Sequence, residues 1–187
     1  EKKLAVFLLG RITIEPHQPV LDTYQRWFKE EDDPAIRNEL VTEGLFRLRR
    51  EALPVWSDLI RGWITDQNEV YLGQGYLALA EYLRETGDQN VPVILNIIRP
   101  SLLEISATHH PEMLGLMQKL FQVSPIETIF ILQEEIQRSN PRSAKHKRIL
   151  RKIVQIIPPE HQGTIKLAYL EHFREKSISL DDPTINN

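Results

Sequence analysis

Apolar residues along this chain recur at spacings of three and four, never in sustained alternation. Leu45 and Leu48, with Leu40 five before them, mark one such stretch, Leu77, Leu79, Ala80 and Leu83 another, and Ile149, Ile153, Ile156 and Ile157 a third. No segment joins strict alternation to a hairpin turn pair such as Asn-Gly or Asp-Gly, so the pattern predicts an all-α chain. Prolines at 19, 34, 54, 92, 111, 125, 141 and 159 cut the pattern into intervals that mostly match one helix and a short loop. The long interval from 54 to 92 carries its own break at Asp66-Gln67-Asn68. The expected helices are 2–12, 19–31, 34–51, 54–65, 69–86, 91–104, 111–123, 125–139, 144–157 and 159–175, with a polar, frayed tail over 176–187.

Within this rhythm one phrase occurs three times: PVLDTYQR from Pro19, PVWSDLIR from Pro54 and PVILNIIR from Pro92, each ending in an arginine (Arg26, Arg61, Arg99). Proline opens a helix well, because its fixed φ suits the first turn and its missing N–H has no partner to lose there. Taken in pairs, 19–51 and 54–86 superimpose at an offset of 34 to 35 residues, and 91–123 follows as a third unit. Later pairs keep the proline (Pro125, Pro159) but carry Leu132 and Lys166 where the arginine would stand. Periods of this length signify helical hairpins that bury their apolar faces only against their neighbours.

The turn Asp32-Asp33-Pro34-Ala35-Ile36-Arg37 resembles the HEAT-repeat signature, an acidic turn followed by an apolar residue and an arginine that open the inner helix. The second unit keeps Asp66 and Val70 but has Tyr71 at the arginine's place, and the third, at His109-His110-Pro111, keeps the spacing alone. The resemblance implies a right-handed alpha-alpha superhelix, a HEAT-like solenoid of about five helix pairs over 1–175. It also implies a concave surface lined by second helices, where Arg37, Arg47 and Tyr71 are the expected binding residues, with Glu43 beside them. Trp63-Ile64-Thr65-Asp66 before a helix, and Ser124-Pro125 later, are similar in placement to features of the HEAT-like DNA glycosylases that excise alkylated purines. That family sets its catalytic aspartate four residues after a tryptophan. The residues four beyond Trp27, Trp56 and Trp63 here are Glu31, Ile60 and Gln67, so no catalytic residue is carried over.

Composition narrows the chemistry. The 187 residues are 41% hydrophobic and 26% charged, as in ordinary folded domains, and the net charge is −3. There is no cysteine, which excludes disulfides, thiolate metal sites and a cysteine nucleophile. The opening Lys2–Leu9 imitates a signal peptide, but its apolar run is six residues and Arg11 closes it without a cleavage site. No run approaches the roughly 20 apolar residues of a membrane span. The expectation is a cytoplasmic protein with no cofactor, metal or membrane partner. The chain opens at Glu1 without methionine, which reads as a fragment of something longer.

Charge is unevenly spread. Segment 138–152 holds Arg138, Arg142, Lys145, Lys147, Arg148, Arg151 and Lys152 with no acidic residue. These seven cations, in a chain totalling −3, leave −10 for the remainder. Ser143 is placed to cap the following helix, in which Lys145, Arg148 and Lys152 share a face away from Ile149, Leu150 and Ile153. Cations in a first turn oppose the helix dipole by about 0.3–1 kcal/mol each, which disfavours the bare helix and favours a bound anion. Three readings fit: a solvated face or one paired with Glu127, Glu134 and Glu135, a nucleic-acid contact through Arg142, Lys145, Lys147, Arg148, Arg151 and Lys152, or an acidic protein partner.

The repeated Arg26, Arg61 and Arg99 can follow a phosphate backbone, or can bond helix-end carbonyls and acidic neighbours in the adjacent repeat. Trp27, Trp56, Trp63, Tyr71, Tyr76 and Tyr82 can line a base-sized cleft or pack between helices. His109, His110 and Glu112 lack metal-site spacing, and Gly73 and Gly75 permit close helix packing instead of cradling phosphate. No Walker, nucleophile-elbow or dinucleotide motif is present. The sequence thus predicts a macromolecule-binding scaffold, with a DNA-repair relative lacking a complete active site as the alternative.

Overall fold

The computed structural model describes residues 1–12, 15–66 and 68–178, the last five as backbone only. The described residues are all-helical and include no strand. The chain divides into two compact units, Glu1–Gly87 and Asp88–Asn187.

The first unit contains α1 (Lys2–Leu9), α2 (Gln18–Glu30), α3 (Pro34–Glu39), α4 (Phe46–Glu51), α5 (Leu53–Thr65) and α6 (Glu69–Thr86). Pro19, Pro34 and Pro54 lie in the first turns of α2, α3 and α5, as the repeated phrase requires. Asp33 and Asn68 cap α3 and α6 by accepting the N–H of Ala35 and Val70, each at 2.9 Å. Gly87 ends α6 at φ +59°, a conformation that glycine adopts without cost. The helix expected over 34–51 is interrupted by a π-turn at Leu40–Gly44. The helix expected over 2–12 closes at Leu9.

Two rows build this unit. In one, α2 meets α5 through Tyr24, Phe28 and Trp63, whose ring centroids lie 5.1–6.0 Å apart. In the other, α1 packs on α3 and the π-turn, and the π-turn packs on α6. Helix α5 lies on α6, with Trp56 fully buried against Tyr82 at 4.8 Å. Burying large side chains of this kind contributes about 1.5–3 kcal/mol each. The aromatic residues are therefore mainly core: Trp56, Trp63, Tyr76 and Tyr82 are buried, while Trp27 and Tyr71 are half-buried. Gly75 allows the α5–α6 contact, since a Cβ there would stand 2.8 Å from Ile64.

The second unit contains α7 (Val91–Ile98), α8 (His110–Val123), α9 (Pro125–Arg138), α10 (Ala144–Ile156) and α11 (Pro159–Ile178). Helix α7 stops well short of the expected 104, and irregular turns carry the buried Leu102, Leu103 and Ile105 to α8. Pro100 explains the stop, because it has no N–H to donate to the Asn96 carbonyl and so cannot continue the helical ladder. Again there are two rows: α9 packs on α7 and α11, and α8 packs on α10. Of the tail expected from Lys176, backbone as far as Ile178 continues α11, and 179–187 lie outside the described residues.

Several long-range polar contacts share one sequence offset. Lys3–Glu39, Arg11–Arg47, Asn38–Gln74, Arg49–Glu85 and Arg99–Glu135 all join residues 36 apart. Four of them run along the α1, α3–α4, α6 row of the first unit, and the fifth joins the end of α7 to α9 in the second.

Candidate functional site

Helix α10 is the most polarised element of the chain. Ile149, Leu150 and Ile153 are fully buried on one side, and its cations occupy the rest. The Ser143 hydroxyl accepts the His146 N–H at 3.2 Å, as the capping pattern foretold. At 100° per residue, Ala144, Arg148, Arg151 and Gln155 share the outward strip, and all four are exposed.

The flanking cations are held. On the α8 side, Lys145 Nζ donates to the Glu104 carboxylate at 3.1 Å and to the Glu104 carbonyl at 2.6 Å. The Asn140 N–H donates to His146 Nδ1 at 3.0 Å, which puts the ring proton on Nε2 and aims it at Glu104, 2.7 Å away. Hydrogen bonds from His146 and then Lys145 hold the Glu104 carboxyl below the usual carboxylate range. Lys152 Nζ donates to Nδ1 of the buried His110 at 2.9 Å. On the α11 side, Lys147 Nζ lies 5.4 Å from the centre of the Phe173 ring. Arg142, Arg148 and Arg151 remain exposed and make no ion pair among the described residues.

Glu134 and Glu135 are not the partners of α10. They receive Arg99 at 2.8 Å each, Glu135 also takes Arg138 at 3.3 Å, and Glu127 accepts from Ser124. Arg99 thus meets acidic residues of α9, Arg61 pairs with Asp58 at 2.7 Å, and Arg26 is exposed. In the first unit, Arg37 donates to the Glu31 carbonyl and lies 5.8 Å over the Phe28 ring. Tyr71 stacks on the same ring at 5.3 Å, so these two residues meet there. Arg47 is held elsewhere, by Glu51 at 2.7 Å and the Arg11 carbonyl at 2.9 Å, and Glu43 lies 3.7 Å from Arg11.

A cleft of about 950 Å³ between α2 and α5 is bordered by Trp63, Tyr71, Asp22, Asp58 and Asp66. Asp22 accepts from Gln18 at 2.7 Å, Asp58 pairs with Arg61, and Asp66 accepts the Asn68 N–H. Glu31, four residues after Trp27, accepts from Lys2 at 2.9 Å and from the Asp33 N–H at 3.0 Å, which lowers its pKa. Gln67 lies outside the described residues. Among the described residues no three histidine or acidic side chains converge on a metal position, and no helix is long and apolar enough to cross a membrane.

His110 supplies a pH test. Burial, then the nearby Lys152 and Arg148, hold its pKa below the ordinary 6.5. The unfolded chain therefore takes up this proton first, so the stability contributed by neutral His110 is complete above pH 6.5 and is lost as pH falls toward the folded pKa. The melting temperature is expected to drop as pH falls below 6.5, and to drop less in Lys152→Met, where one repelling charge is gone. Equal drops in both proteins would contradict this.

Compared with protein-family models, curated proteins and solved structures, the chain matches none of them. What the site does must be argued from its geometry.

Proposed function

We propose that the chain is a HEAT-like right-handed superhelix, a non-catalytic scaffold that presents its second helices to another macromolecule and holds a nucleic-acid backbone along α10. One observation carries the reading: Arg148 and Arg151 stand exposed and unpaired on the outer strip of a second-row helix, with Arg142 just before it. Unpaired guanidinium groups in a row suit successive phosphates, which they contact in bidentate fashion. Fixed flanks add to this, because Lys145, Lys147 and Lys152 are already ordered and lose little freedom on binding. Contacts of this kind position a backbone without reading its bases.

Fluorescence anisotropy with a labelled DNA duplex tests the proposal. The variant carrying Arg148→Glu and Arg151→Glu is expected to bind about thirty-fold more weakly, with unchanged circular dichroism, because both side chains are exposed. Unchanged affinity would point to an acidic protein partner instead. Incubation with alkylated duplex DNA is expected to release no base, since Glu31 is tied to Lys2.

A further inference from the structure

His110, in the first turn of α8, is 4% exposed, and its Nδ1 accepts Lys152 Nζ of α10 at 2.9 Å. The ring proton is therefore on Nε2, where the Ile105 backbone takes it. A second proton has one place to go, Nδ1, and there it removes the lone pair that Lys152 uses. Two cations would then stand 2.9 Å apart in a buried site, with Arg148 and Lys145 of α10 also facing the ring. Two carboxylates close by in the chain are engaged: Glu104 holds Lys145 and His146, and Glu112 lies 3.7 Å from His109.

Lys152 is the member of the pair that can leave. It is half-buried, and its ammonium rides on a flexible four-carbon stem. It follows Arg148 by four residues, which sets it one turn on and about 40° round the helix. Turned outward, the ammonium joins Arg148 and Arg151 on the exposed strip. Held inward, it lends that strip its field but makes its bond to the imidazole.

We infer that His110 is a proton-operated latch on Lys152: neutral, it holds the lysine against α8, and protonated, it releases the lysine to the phosphate-binding strip of α10. The proton comes from solvent and Lys152 keeps its own charge, so the site gains one positive charge. Burial, with Lys152 and Arg148, holds the His110 pKa below 6.5, which places the release on the acid side of neutrality. Affinity for phosphate therefore rises as pH falls, and bound phosphate favours the proton in return. The consequence for affinity rests on the proposed nucleic-acid reading of α10, while the release itself is read in the free chain.

NMR of the free chain follows the His110 ring, the Lys152 side chain and the exposed Lys119 from about pH 7.5 to 5. The Lys152 resonances should move to the values of Lys119 with the midpoint of the ring, and Lys152→Met should raise that midpoint. Lys152 resonances that stay in place while the ring titrates would overturn the inference. Duplex anisotropy over the same range is the second arm, with circular dichroism restricting the comparison to folded protein. The parent chain should gain about fivefold in affinity as the ring titrates, with a salt slope steeper by about 0.9 for one further phosphate. His110→Gln, which keeps an acceptor but takes no proton, and Lys152→Met should each change less than about twofold. An equal gain in both variants would assign the pH dependence to another group, such as His146 on Glu104, and overturn the latch. A parent chain that binds no duplex at any pH would overturn the nucleic-acid reading, and the joint movement of Lys152 and His110 would still decide the latch.

Discussion

Replacing Arg49 by alanine is expected to lower the unfolding free energy by about 3–5 kcal/mol. Its side chain is 1% exposed and meets Glu85 on α6 with two bonds, Nη2–Oε1 at 2.5 Å and Nε–Oε2 at 3.0 Å. Nη2 also donates to the Thr42 carbonyl at 3.3 Å, at the π-turn. Removing the guanidinium strands a carboxylate in a largely buried position and cuts a link between α4 and α6. Most of the cost is that uncompensated charge, so exchanging both partners for apolar residues, Arg49→Met with Glu85→Leu, should recover most of the loss. Urea unfolding of the single and double variants measures both quantities. A loss below about 1 kcal/mol in Arg49→Ala would place the pair among exposed ion pairs of little consequence.

Gly10→Ala should cost about 2–3 kcal/mol, toward the upper end for overpacking. A Cβ at Gly10 would lie 1.8 Å from the Glu43 carbonyl oxygen, and that neighbour is backbone, which cannot swing aside. The Gly10 carbonyl also accepts the Arg47 N–H at 3.2 Å, so displacing this segment breaks the register that holds α1. Hydrogen exchange in α1 should accelerate in this variant while α6 stays protected. Gly62→Ala is the control: nothing lies within 4 Å of its Cβ, and a mid-helix glycine replaced by alanine gains up to about 1 kcal/mol. Equal losses at the two glycines would show that close approach is not what matters at Gly10.

Much of this architecture is legible before any coordinates. Helix α6 follows its expected bounds, 69–86, because Asn68 and Gly87 punctuate it with side-chain and backbone chemistry that acts locally. The π-turn left a fainter mark: Leu40 and Leu45 are five apart, a spacing that fits a widened turn and was absorbed into a helical pattern. The early end of α7 was available in Arg99-Pro100, one proline among many. Site geometry was less accessible. Sequence placed Lys145, Arg148 and Lys152 on one face, but pairing depends on residues 41 and 42 positions upstream, Glu104 and His110. Charge counting within a single helix cannot reveal partners that far away in sequence. Arg37 shows the same limit, since its guanidinium turns onto Phe28 and the Glu31 carbonyl.

The salt dependence of duplex binding tests the central claim most directly. Neutralising about three phosphates through Arg142, Arg148 and Arg151 gives a logarithmic slope of about −2.7 between 50 and 200 mM salt, a loss of roughly forty-fold in affinity. That slope is expected for the parent chain, and a much shallower one when Arg148 and Arg151 become glutamate. Binding that is flat across the salt range would contradict it.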